Sequence, residues 1–158
     1  MTNNDILRRM RYSFDLDDNQ VIKVFSLVDH SVSREQISFW LKKDDDDEFV
    51  TLEDIDLARF LNGFINLKRG KKEGEQPQPE QRLTHNLIFM KLKIALQLQA
   101  DDVLNILLLA DFRLSKHELS AFFRKPGHKH YRECKDQVLR NFLNGLQKKF
   151  RPETEAKA

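Results

Sequence analysis

The chain of 158 residues contains a single cysteine, Cys134. No internal disulfide framework can be built from one thiol, and such usage fits a reducing compartment. Long apolar runs are missing too. A membrane span needs about 18 continuous apolar residues, and the best stretch, Leu104 to Ala110, is far too short. The opening Asn3-Asn4-Asp5-Ile6-Leu7-Arg8-Arg9 lacks the apolar core of a signal peptide. These absences lead to the expectation of a cytoplasmic protein with no membrane partner. There is no Gly-rich phosphate loop, nucleophile elbow or dinucleotide fingerprint. The acidic run Asp44 to Glu48 lacks the glycine and the spacing of a calcium loop. The chain is therefore expected not to be an enzyme and to need no cofactor.

What is present supports a folded domain. Hydrophobic residues make up 40% of the chain and include 12 Phe, enough for a core, while the 33% of charged residues suit a solvated surface. The most informative feature is an internal repeat. Shifted by 82 positions, residues 4–69 align with 86–151 without a gap and give 16 identities among 66 pairs. The strongest block is Phe60-Leu61-Asn62-Gly63 against Phe142-Leu143-Asn144-Gly145. Other positions exchange within a class, as in Met10/Leu92, Trp40/Phe122 and Phe49/Tyr131.

Each copy reads as helical. Ile6, Leu7, Met10 and Phe14 recur at helical spacing, and Val21, Val24, Phe25 and Val28 continue on one face after a break at Leu16 to Asn19. Ser33-Arg34-Glu35-Gln36 and Ser115-Lys116-His117-Glu118 are capping boxes, in which the serine oxygen and the Gln or Glu side chain satisfy each other's backbone N–H. Ile37, Trp40 and Leu41 then mark a short buried stripe, matched by Leu119, Phe122 and Phe123. A last helix opens at Thr51-Leu52-Glu53-Asp54. Gly63 and Gly145 fall near its end, which calls for either a left-handed cap or close helix contact. No stretch of useful length alternates with period two. The expectation is an all-α tandem duplicate with about four helices per copy, the second and third spaced as a helix-turn-helix-like pair. Residues 1–70 form the first repeat, 71–83 a polar linker of extended character, 84–151 the second repeat and 152–158 a polar tail.

Asn4 to Tyr12, the Phe60 to Gly63 block, Ser115 to Ser120 and the long run Phe123 to Asp136 together resemble the YehS-like family of duplicated bacterial proteins. The resemblance covers nearly the whole chain. It implies the duplication and the bacterial cytosol, and it brings no activity, substrate or catalytic residue with it.

Charge separates the copies. Residues 4–70 carry 10 Lys and Arg against 14 Asp and Glu, whereas residues 84–151 carry 13 against 6. Such asymmetry points toward an anionic partner for the basic half. The contrast peaks where Asp44, Asp45, Asp46, Asp47 and Glu48 of the first copy meet Pro126, Gly127, His128, Lys129 and His130 of the second. Three readings follow: two ordinary solvated loops, phosphate or nucleic-acid binding by the basic copy, or docking of the acidic loop on the basic one. On the second reading Lys116, His117, Ser120 and Arg124 form the exposed helix face, and Lys125, His128, Lys129, His130 and Arg132 extend it. His128, His130 and Cys134 sketch a zinc site, but the interleaved cations and the missing fourth ligand argue against metal. The expected function is that of a binding protein which contacts DNA or RNA through its basic repeat. The alternative is an interaction module that self-associates, as a dimer, through its acidic and basic halves.

Overall fold

The computed structural model describes residues 1–152; the rest of the expected polar tail, 153–158, lies outside the described residues. Eight helices and no strand occur among those described. The first repeat holds α1 (Asn3–Ser13), α2 (Asp18–Ser26), α3 (Arg34–Leu41) and α4 (Asp54–Arg69). The second holds α5 (His85–Ala95), α6 (Ala100–Leu109), α7 (Lys116–Ala121) and α8 (Asp136–Phe150). Each helix of the second repeat begins 82 positions after its counterpart. The chain is a tandem duplicate of one four-helix unit. It divides into two compact units, the first drawn almost wholly from residues 1–83 and the second from residue 84 onward.

Local chemistry sets the helix boundaries. Asp17 caps α2 with Gln20 reaching back, Ser33 caps α3 with Gln36, and Ser115 caps α7 with Glu118. Each box satisfies two orphan N–H groups at a helix start. The stops are equally regular. Asp15, Asp29, Gln97 and Asp111 sit in the left-handed region, with φ of 53, 59, 54 and 58°. In each case the next residue's N–H bonds the carbonyl five positions back, as Leu16 N–H does to Arg11 O and Leu98 N–H to Lys93 O. That is the Schellman closure, made without glycine. The α-helical part of α2 stops at Ser26, although the apolar face runs on to Val28, because Val28 and Asp29 N–H tighten the last turn with bonds to Phe25 and Ser26 O.

In each unit the long last helix packs on the second, α4 on α2 and α8 on α6. Trp40 and Phe122 are buried at equivalent points, 4% and 3% exposed, beside Phe25 and Phe89 respectively. Gly63 and Gly145 lie in the interiors of α4 and α8 rather than near their ends. A Cβ at Gly63 would stand 2.1 Å from Val24 O, and one at Gly145 would stand 2.1 Å from Ile106 O. Close helix contact, not a left-handed cap, is what both positions require.

The linker lies partly against the first unit instead of being wholly solvated. Lys71 Nζ pairs with Asp29 at 2.8 Å, Asn66 Nδ2 donates to Gln76 Oε1, and Leu83 N–H donates to Asp54 Oδ2. Its prolines and charged residues leave it with no helix or strand of its own.

Candidate functional site

One asparagine organises the same corner of each repeat. In the second, the buried Asn86 Nδ2 donates to Phe122 O at 3.0 Å and Arg132 O at 2.9 Å, while its Oδ1 accepts from Cys134 N–H at 2.9 Å. Asn4 does the same in the first repeat toward Trp40 O, Val50 O and Leu52 N–H. The clamp ties the end of the third helix and the segment after the charged loop to the first helix. A further bond closes the loop itself: Arg132 N–H donates to Ala121 O at 3.1 Å, matched by Val50 N–H and Phe39 O.

The loop between these anchors is a double turn with one backbone pattern in both repeats. His128 N–H donates to Lys125 O and Tyr131 N–H to His128 O, as Asp46 and Phe49 N–H do to Lys43 and Asp46 O. Even the side-chain bond is reproduced. Glu48 N–H donates to Asp46 Oδ1 at 2.8 Å, and His130 N–H donates to His128 Nδ1 at 3.0 Å. An accepting Nδ1 leaves the His128 proton on Nε2. Backbone geometry is thus conserved between the copies while the charge on it is reversed.

In the second repeat the loop and α7 enclose an open groove of about 340 Å³. His117, Ser120, Arg124, Lys129, His130 and Arg132 line it, so six of the nine basic-repeat candidates come together. Lys116, Lys125 and His128 are exposed but lie outside it. Lys116 Nζ is drawn instead toward Asp101 on α6, at 3.3 Å. Among the described residues Arg124, Lys125, Lys129 and Arg132 have no ion pair within 4.0 Å; the charge of Arg132 acts on Glu118, and that of Arg124, Lys125 and Lys129 is left available to an outside anion. Glu118 also lines the groove. Its carboxyl is held below the usual range, first by the Ser115 backbone N–H that donates to it and further by the charges of Arg132 and His117.

Tyr131 is a lining residue that sequence reasoning missed. Its signal in the repeat was the exchange of one aromatic ring for another, Phe49 for Tyr131, which says nothing of a groove. The first repeat shows what the reversal does. Asp47, Glu48 and Val50 stand at the positions of Lys129, His130 and Arg132. Lys42, at the position of Arg124, pairs with Glu48 at 3.5 Å, and Arg8 pairs with Asp44 at 3.6 Å. The acidic turn is therefore partly neutralised from within, while Asp45, Asp46 and Asp47 remain exposed.

Cys134 belongs to the core and not to the groove. It occupies the position of Leu52, is 2% exposed, and burial pushes its thiol up to about 12. A protonated thiol is neither nucleophile nor metal ligand. Among the described residues no group of three or more His, Cys, Asp and Glu side chains is placed to hold a metal ion. No helix among them is long and apolar enough to cross a membrane.

The paired units have a counterpart among known proteins. A family model described as Protein of unknown function (DUF1456) matches residues 3–70 and again 85–151. The chain belongs to this family. The two matched segments correspond to α1–α4 and α5–α8, so the family's unit is the four-helix repeat. The chain is also 44% identical over 147 residues to the Uncharacterized protein YehS of Escherichia coli (strain K12), covering 92% of this chain and 94% of that protein. No solved structure matches it.

Proposed function

We propose that this chain is a cytoplasmic binding protein, not an enzyme, and that its basic second repeat binds nucleic acid. The observation that carries the reading is the groove, where Arg124, Lys129 and Arg132 converge without an intramolecular ion pair. Phosphate oxygens are the anions that a row of exposed guanidinium and ammonium groups serves best. The reduced, buried Cys134 suits a reducing compartment, and its raised thiol pKa removes the one soft nucleophile from chemistry at neutral pH.

The test is fluorescence anisotropy of labelled oligonucleotides across a salt series. Each phosphate contact makes log affinity fall with log salt by about 0.7–0.9. The double replacement Arg124→Ala and Lys129→Ala should weaken binding and flatten that slope by about 1.4–1.8. Asp45→Asn with Asp46→Asn should leave the slope unchanged. Unaltered binding after the basic replacements would place the interface elsewhere.

A second reading is favoured by the reversed charge on one backbone turn: Asp45 to Asp47 of one copy docks against the basic groove of another chain. Light scattering at low salt then shows an assembly that either charge reversal disrupts and the combined reversal restores.

A further inference from the structure

We propose that the groove takes single-stranded nucleic acid in preference to duplex, with one unpaired nucleotide seated between α7 and the turn that follows it; this rests on the nucleic-acid reading above. A helix-turn-helix reads duplex DNA by driving its second helix into a major groove about 12 Å wide. Such a helix must stand proud of its surroundings. Here α7 has six residues, a length of about 9 Å at 1.5 Å per residue. The following turn folds back on it, because Arg132 N–H bonds the carbonyl of Ala121, the last residue of α7. His117 and Ser120 on α7, and Arg124 just beyond it, therefore share a concave groove with Lys129, His130 and Arg132. The face that would read a duplex looks into a cleft.

That cleft has the attributes of a single-strand site. Its volume of about 340 Å³ lies at the lower end of the roughly 300–1,000 Å³ found for pockets that enclose small ligands. Its lining combines rings with cations, His117, His130 and Tyr131 alongside Arg124, Lys129 and Arg132, and holds one carboxylate, Glu118, against the three cations. Splayed bases stack on aromatic rings and guanidinium planes, while the backbone follows the positive charge. A paired base offers no free face to such a groove.

The experiment compares an oligo(dT) strand of about 12 nucleotides, within the usual span of small single-strand sites, with a duplex of the same length. Both probes are compared at the same pH and across the same salt series. The strand should bind at least tenfold more tightly than the duplex. His117→Ala with His130→Ala should weaken strand binding about fivefold or more and leave the salt slope unchanged. Both histidines are exposed, so thermal melting should match the parent. Equal affinity for strand and duplex, or loss of the preference without loss of binding, overturns this inference and leaves the nucleic-acid reading standing. No binding to either probe overturns both.

Discussion

The Asn86 amide holds Arg132 by its backbone carbonyl at 2.9 Å, fastening one side of the basic groove to α5 in the core. The same side chain also fixes Phe122 and Cys134, so three buried or part-buried backbone groups depend on it. Fold and site meet at this residue.

Asn86→Ala should therefore cost on the order of 3 kcal/mol or more, since each stranded polar group costs about 1–3 kcal/mol. Asn4→Ala removes the equivalent bonds to Trp40, Val50 and Leu52 and should cost about the same. The two variants should part company in binding. Loss of the Asn86 clamp should lower nucleic-acid affinity, whereas loss of the Asn4 clamp should leave it near the parent value. Urea unfolding and anisotropy on the two proteins decide the matter, and equal binding losses would detach the clamp from the site.

Gly63→Ala and Gly145→Ala test the close helix contacts. Alanine favours a helix interior by about 1 kcal/mol over glycine. Here each new methyl would lie 2.1 Å from a backbone oxygen, Val24 O or Ile106 O, which cannot rotate away. Overpacking of this kind costs about 1–3 kcal/mol and at times more, so each variant should melt below the parent. A melting temperature equal to or above it would mean that the helices can separate cheaply.

Cys134 should be silent toward a thiol reagent in the folded protein and react at once in urea. Burial raises its folded pKa from 9.0 to about 12. The sign follows from linkage: below about 9 neither state ionises and the thiol's contribution is intact. As pH rises from 9 toward about 12 the unfolded chain gains thiolate first, and that stability is lost. Cys134→Leu carries the residue found at position 52 and should lose less stability than the parent over this window. Identical alkaline profiles would show that the folded thiol titrates like an unfolded one.

The limits of the sequence show at particular residues. Ser33 and Ser115 announced their helices because a capping box is complete within four residues, and both boxes form. Asn4 and Asn86 stood out only as one identity in the repeat. Their partners lie 36 to 48 positions away, beyond the reach of any local pattern. Lys116 reads from sequence as part of the exposed face of α7; it lies outside the groove, with Asp101 of α6 at 3.3 Å, a partner no local pattern announces. Tyr131 showed only as an exchange with Phe49 in the repeat, and it lines the groove.

By itself the sequence determined that this is one helical unit written twice, with about four helices per copy, the Ser33 and Ser115 caps and an opposite charge on each copy's loop. Those properties are local or compositional, set by hydrophobic period, by capping residues within a turn and by counts of charged groups. Only the tertiary structure decided that Gly63 serves a close approach, that the linker lies partly on the first unit, and that six of the candidate residues share one groove. Each of these depends on which distant backbone atoms come within hydrogen-bonding or van der Waals range. Tertiary packing alone sets those distances.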